Sequence, residues 1–479
     1  VYKKLYKTIA SAKGFSCNSK TIKSQECFFA LKGLQVDASC FIHEAISKGA
    51  KYAITQNLQI PNYDNKVLYV QNTQDSLAYC AQRFYNDLPK YKIAITGTNG
   101  KTSTADYCRQ IFELCNFDAA SIGTIGICSK SDVPENLQAL ANLTSNELIA
   151  NYQILSGLKN LGLNHVAMEV SSIGLDQNRF DGIEFCAAGF VSFALDHLDY
   201  HKSYDNYLKA KLKLFNKHFI ANDKAVFIAA EVMEQINKLG LPWNLKNYKL
   251  IGNTPDCDVY IKSLDSSING QRVVFGVDNQ EFNFFTPIIG RFQIQNLIFA
   301  MMLTWGCGLK LEEIVRILDQ LKPPAGRLQK VLDPKKNRYI FIDYAHNPDA
   351  LKKVLLELNM LKEPTAKLFT IFGCGGDRDK AKRAPMGKAA CQMSYQVIVT
   401  DDNPRNEDPK EIRQEIISGI SKDNYIEISD RKMAIKYVLD KMSDYDIMLV
   451  AGKGHEEYQI YKDQKYFFSD VKTTEFLLT

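Results

Sequence analysis

Residues 93–104, IAITGTNGKTST, constrain the fold more than any other stretch of the chain. Ile93–Thr96 is an apolar run without polar alternation, the pattern of a strand buried on both faces of a parallel sheet. Gly97 and Gly100 permit a tight turn, and a helix is expected to begin near Lys101. Backbone N–H groups of such a turn, with the positive end of the helix dipole, favour a phosphate. Gly97, Thr98, Asn99, Gly100, Lys101, Thr102 and Ser103 would then cradle a nucleotide. Lys101 would reach the β/γ-phosphates and Thr102 would hold Mg²⁺. The strict spacing G-x-x-x-x-G-K-[ST] is not met, because Ile95 stands at the first glycine position; a Gly-rich turn without phosphate chemistry is the competing reading.

The surrounding pattern is α/β. Short strands are expected at 27–31 and 51–56 around a helix at 42–49, forming a small unit of residues 1–88. Strands at 93–96, 165–170, 186–194 and 225–230 follow in βα rhythm. Residues 259–277 alternate and read as a hairpin turning near Asn269-Gly270. A helix at 295–308 precedes the Pro-containing linker 322–327. Strands at 339–345, 368–376, 395–402 and 446–452, each followed by a helical pattern, read as another doubly wound unit. The division is thus 1–88, 89–322 and 323–479.

With 479 residues, 46% hydrophobic and 24% charged, the chain has ordinary globular composition. A net charge of +5 suits an anionic substrate better than nucleic acid, and no basic face or helix-turn-helix pattern is present. The twelve cysteines form no CxxC and read as free thiols in a reducing compartment. The N-terminal segment lacks the apolar core of a signal peptide, and no apolar run is long enough to span a bilayer. A cytoplasmic protein without membrane or nucleic-acid partners is expected.

Glu169 ends the strand VAMEV, where ligands of an open parallel sheet bind; it reads as a Mg²⁺ ligand or as a surface carboxylate. DHLDYH (196–201) gathers two aspartates and two histidines, compatible with a metal site or with a polar loop. Lys209, Lys211 and Lys213 alternate on the following helix and read as a solvated basic surface.

GTNGKT, MEVSS, DHLDYH, DYAHNP, GCGGDRDKAKR, DNPR and GKGHE occur in the order found in the Mur ligases, which the whole chain resembles. DNPR and GKGHE resemble the branch that adds diaminopimelate. The resemblance implies an N-terminal uridine-binding α/β domain, a central P-loop ATPase with a parallel sheet and a C-terminal Rossmann-like domain. It implies a monomeric, ATP-dependent ligase that joins meso-diaminopimelate to a UDP-N-acetylmuramoyl-dipeptide, using two Mg²⁺ ions.

It also implies roles for single residues. Lys211 would be carbamylated by CO₂ and, with Thr102, Glu169 and His197, serve the metals. Lys101, Glu169, His197 and Lys211 would carry catalysis. Asn296, Arg327, Asp343, His346 and Asn347 would close over the nucleotide. Cys17, Ser19, Leu34, Gln35, Val36, Thr144, Ser145, Ser171, Gln177 and Arg179 would hold the UDP substrate. Arg378, Asp402, Asn403, Pro404, Arg405, Gly452 and Glu456 would hold diaminopimelate. The chain departs from the family pattern at Asn18-Ser19-Lys20 (usually Asp-Ser-Arg), Val191-Ser192 (Thr-Asn) and Gln293-Ile294 (Asn-Val). DNPR argues against a lysine-adding sister, and the domain preceding the phosphate loop argues against folylpolyglutamate synthase. A non-catalytic nucleotide-binding scaffold would have lost one of Lys101, Glu169, His197 or Lys211, and all are present.

Overall fold

A computed structural model of the chain describes residues 2–33, 36–194, 196–216, 219–221, 224–241, 245 and 247–479. The chain divides into two compact units, residues 1–260 with 299–314 and residues 261–298 with 315–479.

In the first unit, β1 (Phe15–Ser16), β2 (Cys27–Phe29), β3 (Tyr52–Thr55) and β4 (Val67–Tyr69) pair in chain order, all parallel. Phe28, Ala53 and Val67 from this sheet cluster with Ile42 and Ala45 of the helix Ile42–Ser47. A second sheet contains β5 (Tyr91–Thr96), β6 (Ala119–Gly123), β7 (Gly126–Ser129), β8 (His165–Glu169), β9 (Ala187–Phe190), β10 (Ala225–Ala229) and β11 (Lys249–Gly252). Their order is β11-β10-β9-β5-β8-β6-β7, parallel except for β6/β7. Ile93–Thr96 of β5 are fully buried, as an unalternating apolar run requires. β5 lies between β8 and β9, so Gly97, Val170 and Val191 leave the sheet along one C-terminal edge. That edge is where open parallel sheets bind ligands.

In the second unit, β12 (Val259–Ser267) turns through Ile268-Asn269 into β13 (Gly270–Val277), which pairs antiparallel with β14 (Gln280–Thr286). The hairpin turn falls where the sequence places it. β15 (Gln329–Val331), β16 (Tyr339–Asp343), β17 (Leu368–Phe372), β18 (Gln396–Val399), β19 (Tyr425–Glu427) and β20 (Ile447–Ala451) form a sheet of order β15-β16-β20-β17-β18-β19. All its neighbours are parallel except β15/β16. Ile340 and Ile342 join one apolar cluster with Ile371, Ile435 and Val450, whereas Phe341 joins another with Leu355, Phe372 and Leu449. Alternate residues of one strand thus enter two cores, and helices cover both faces. A hairpin of β21 (Tyr458–Tyr461) and β22 (Gln464–Phe467) follows. Among the described residues no helix is long and apolar enough to cross a membrane. All twelve cysteines are free.

Arg431 and Asp470 are buried together. Arg431 donates from Nε to Oδ1 at 2.7 Å, and from Nη2 to Oδ2 at 2.8 Å and to the Ala451 carbonyl at 2.9 Å. The pair ties the helices Arg431–Lys441 and Asp470–Leu478 to the end of β20. We expect Arg431→Leu to lower the unfolding free energy by about 3–5 kcal/mol, because a carboxylate stays buried without its partner. Urea denaturation checks this, and adding Asp470→Leu should recover part of the loss.

Candidate functional site

The phosphate loop joins β5 to the helix Lys101–Leu114. Gly100 precedes that helix with φ +86, in the left-handed region that favours glycine. A Cβ on Gly97 would lie 2.7 Å from Val191 Cγ2. The loop is braced sideways: Thr98 N donates to the Ser192 carbonyl at 3.0 Å, and Asn99 N donates to Ser192 Oγ at 3.0 Å. Ser192 Oγ donates back to the Asn99 carbonyl at 2.9 Å. The amides of Thr98 and Asn99 therefore point at Ser192, so the anion-binding geometry belongs to the first helical turn, whose amides have no intrahelical acceptor. Lys101 Nζ donates to the carbonyls of Gly97 and Thr98 at 2.8 and 2.9 Å.

Glu169, at the end of β8, is buried. Its Oε1 accepts from Thr124 N at 2.8 Å and its Oε2 from Thr124 Oγ1 at 3.2 Å. Gly123 makes room for it, since a Cβ there would lie 2.1 Å from Oε1. Thr102, Asp106, Ser121 and Glu169 line a cavity of about 10 Å³. The surface-carboxylate reading of Glu169 is thereby excluded.

His197 has φ +52 and caps the short helix Leu198–His201. Its Nε2 lies 3.7 Å from Asp196 Oδ2. Burial, with Lys101 and Lys211 nearby, keeps its imidazole below the usual range. Lys209 is exposed and Lys213 bonds Asp176 at 2.6 Å, as a basic surface would. Lys211 is different: it is buried, donates to the Gly97 carbonyl at 2.8 Å, and lies over the Tyr207 ring at 4.7 Å. Burial first, and Lys101 second, push its ammonium well below its ordinary pKa. Among the described residues no three His, Cys, Asp or Glu side chains converge as a metal-binding group.

A second cluster adjoins Glu169. Thr144 Oγ1 lies 3.0 Å from Thr124 Oγ1, and Ser145 Oγ donates to the Glu169 carbonyl at 3.1 Å. Ser171 caps the helix Ser172–Asp176. Arg179 donates to Gln177 Oε1 at 3.0 and 2.6 Å, to the Ser145 carbonyl at 2.7 Å, and pairs with Glu147 at 2.9 Å. Burial raises the Cys17 thiol, with the Glu147 charge adding to it. Ser19 Oγ donates to Glu44 at 2.7 Å, and Val36 is exposed. Leu34 and Gln35 lie outside the described residues.

The second unit holds the remaining candidates. Asn296 Nδ2 donates to Gln293 Oε1 at 3.1 Å. Arg327 lies over the Tyr344 ring at 4.6 Å, and His346 Nδ1 is 3.0 Å from the Tyr344 carbonyl. Asp343 accepts from Leu328 N at 2.7 Å and Ala345 N at 2.8 Å, which makes it a backbone bracket. Asn347 caps the helix Pro348–Leu361.

DNPR and GKGHE come together. Asn403 Nδ2 donates to Glu456 Oε2 at 2.9 Å. Lys453, which sequence reasoning missed inside GKGHE, is fully buried; its Nζ lies 3.1 Å from Asn403 Oδ1, 3.3 Å from Glu456 Oε2 and 3.5 Å from Asp402 Oδ1. Gly452, at φ +111, leaves room for Asp402, whose Oδ2 lies 2.7 Å from where a Cβ would stand. Arg405 adopts φ +51, and its Nη1 donates to the Gly376 carbonyl at 2.8 Å. Pro404 packs on Gly376, and Arg378 is exposed on the same loop. This loop is clamped by Arg383, which donates to both Glu407 oxygens at 3.0 Å and to the Gly375 carbonyl at 3.1 Å.

Comparison with known proteins now adds to this geometry. Residues 95–304 match the Mur ligase middle domain, and residues 326–454 the Mur ligase, glutamate ligase domain. The UDP-N-acetylmuramoyl-L-alanyl-D-glutamate–2,6-diaminopimelate ligase of Rickettsia montanensis is 44% identical over 466 residues, covering 96% of this chain and 94% of that protein. The Brucella melitensis protein of the same name is 35% identical, covering 95% and 92%. A solved structure of an enzyme so named aligns with TM-score 0.70 and 29% identity over 98% of this chain and 94% of that one. The MurF ligase of Thermotoga maritima in complex with ADP shares the fold, with TM-score 0.65 and 16% identity over 98% and 97% of the two chains.

The Arg383 clamp has a pH signature. Hydrogen bonds from Arg383 hold the Glu407 carboxyl down at about 2. Its contribution is complete above the unfolded-state value near about 4.3, and is lost as pH falls from there through about 2. Glu407→Gln should therefore flatten the stability–pH curve below about pH 4.5, measured by urea titrations at stepped pH; an unchanged slope would disprove the clamp.

Proposed function

The chain belongs to the Mur ligase family, and we propose that it is the cytoplasmic, monomeric enzyme that adds meso-diaminopimelate to the D-glutamate side-chain carboxylate of UDP-N-acetylmuramoyl-L-alanyl-D-glutamate. It is an ATP-dependent ligase of peptidoglycan precursor synthesis. We assign residues 1–88 to uridine binding, 89–322 to ATP and 323–479 to the amino acid.

A carboxylate does not form an amide in water unaided. It attacks the γ-phosphate of ATP, giving an acyl phosphate, and the amine then displaces phosphate. The first step sets an anion against a polyanion, and each pair of charges at about 4 Å repels by about 4 kcal/mol at an effective dielectric near 20. Lys101, at the helix N-terminus, offsets this at the β/γ-phosphates. Thr102 and Glu169 offer oxygen donors around one small cavity, which fits Mg²⁺. As an ammonium Lys211 cannot ligate a cation; its buried, readily neutralised amine fits addition to CO₂, and the resulting carbamate would, with His197, offer donors to a second Mg²⁺. Two bound Mg²⁺ ions would neutralise phosphate charge. Asn296, Arg327, Asp343, His346 and Asn347 belong to the nucleotide side. Cys17, Ser19, Leu34, Gln35, Val36, Thr144, Ser145, Ser171, Gln177 and Arg179 belong to the UDP substrate.

The observation that carries the amino-acid assignment is the meeting of DNPR with GKGHE. Glu456, fixed by Asn403 and Lys453, offers a carboxylate to an ammonium. Arg405 offers a planar fork to a carboxylate. Together they match the amino-acid centre at the far end of diaminopimelate, where lysine carries an ammonium alone.

Lys211→Ala should be nearly inactive and partly rescued by short carboxylic acids in a phosphate-release assay; full activity without them would remove the carbamate. Arg405→Ala should lower kcat/KM for meso-diaminopimelate at least roughly a hundredfold, since losing one partner of a buried charged pair costs about 3–5 kcal/mol. Kinetics with meso-diaminopimelate and L-lysine in both proteins decide it. A wild type that prefers lysine would overturn the substrate while leaving the ligase in place.

A further inference from the structure

Cys186 immediately precedes β9, and Cys307 immediately follows the helix Arg291–Gly306. Although 121 residues apart in sequence, their sulfurs lie 3.0 Å from each other. The approach has a local cause. A Cβ on Gly306 would stand 2.5 Å from Ala225 Cβ, so only a glycine lets the helix end settle this close to β10, the neighbour of β9. Both thiols are half-buried. Gly308, with φ +103 and open space where its side chain would be, marks the exposed side of the helix end.

The two sulfurs are inequivalent. The contact with Cys307 and the charge of Lys92 hold the Cys186 thiol below its ordinary range, and the same contact with burial pushes Cys307 up. Cys186 Sγ also lies 3.1 Å from the Lys92 carbonyl. Two thiols held this close meet the geometric need of thiol–disulfide exchange, one sulfur to attack and a second to resolve the mixed disulfide.

We propose that Cys186 and Cys307 form a dithiol site that reacts with low-molecular-weight disulfides and closes to an intramolecular disulfide. The Cys186 thiolate attacks one sulfur of the small disulfide, forming a mixed disulfide and expelling one thiolate. The Cys307 thiol loses its proton and attacks Cys186 Sγ, expelling the second thiolate. In sum one small disulfide is reduced to two thiols while two protein thiols are oxidised to one disulfide. An S–S bond of about 2.05 Å needs a shift of only about 1 Å from the present separation. The bond would pin the helix end to β9, whose other end runs into Val191 and Ser192, the residues that brace the phosphate loop.

The test uses the reduced full-length chain, treated with oxidised glutathione, quenched with acid, alkylated and mapped by mass spectrometry. The exposed Cys40 is the internal reference. Peptides containing Cys186 and Cys307 should be recovered linked, with the chain lighter by two hydrogens, at a rate roughly tenfold above glutathione attachment to Cys40. In Cys307→Ser the mixed disulfide should accumulate at Cys186, and in Cys186→Ser Cys307 should remain alkylatable. Dithiothreitol should reverse the link. If both cysteines stay alkylatable after Cys40 has reacted, or if the link forms as fast in concentrated urea, the proposal is overturned.

Discussion

The Gly97 carbonyl accepts from two ammonium groups, Lys101 and Lys211, each at 2.8 Å, and much of the first unit is arranged around that contact. Two like charges on one oxygen repel, and burial of Lys211 sharpens the conflict. A carbonyl offers only a partial negative charge to both. Under the proposed function, ATP phosphates would offer Lys101 the full negative charge that the carbonyl lacks, a preference for anions, while a carbamate at Lys211 would relieve the repulsion between the two ammonium groups. The backbone must hold still for this preference to act. Ser192, Thr98 and Tyr207 supply that rigidity: Thr98 Oγ1 lies 3.0 Å from Tyr207 OH and accepts from Ala194 N at 3.0 Å.

In the second unit charges are settled pairwise instead. Lys453 lies among Asn403, Asp402 and Glu456, and Arg431 is paired with Asp470. With Lys453 neutralising one carboxylate's worth of charge, the Asp402–Glu456 pair retains one net negative charge, which under the proposed function would face a substrate ammonium. Arg405 is positioned by its backbone as much as by its side chain. Its left-handed φ is over-determined by Arg405 N donating to Ile460 O at 3.0 Å and Lys462 N donating to Arg405 O at 2.7 Å. Such strain costs about 1–3 kcal/mol and persists only where neighbours fix it.

Local signals carried far in this sequence. The unalternating run Ile93–Thr96, the glycines after it and the βα rhythm gave the strand, the loop, the helix start at Lys101 and the parallel sheets. The edge strands β7, β14 and β15 were not legible, because short antiparallel additions carry little periodicity. Lys211 illustrates the limit for sites. Spacing alone made it one of three alternating lysines, and only the fold buries it while leaving Lys209 exposed. Lys453 escaped notice for a related reason: its three partners lie as far as 51 residues before it in the chain, within Asp402–Asn403, and three residues after it, at Glu456.

The departures from the family pattern show what the site demands of its supporting residues. Ser192 replaces the usual asparagine, yet its hydroxyl accepts from Asn99 N and donates to Asn99 O, because a hydroxyl can do both at once. Gln293 replaces another asparagine and still accepts from Asn296 at 3.1 Å, one helical turn away. Asn18, in place of aspartate, accepts from Lys20 N at 2.9 Å and so still closes its turn with an amide oxygen. At Ser192 and Asn18 a hydrogen bond that fixes the backbone is made by a chemically different side chain, and at Gln293 the bond holds the Asn296 side chain. Under the proposed function the charge-bearing positions differ: Lys101, Glu169, Lys211 as a carbamate, Arg405 and Glu456 would act through full charges, which a neutral hydrogen-bonding group does not supply.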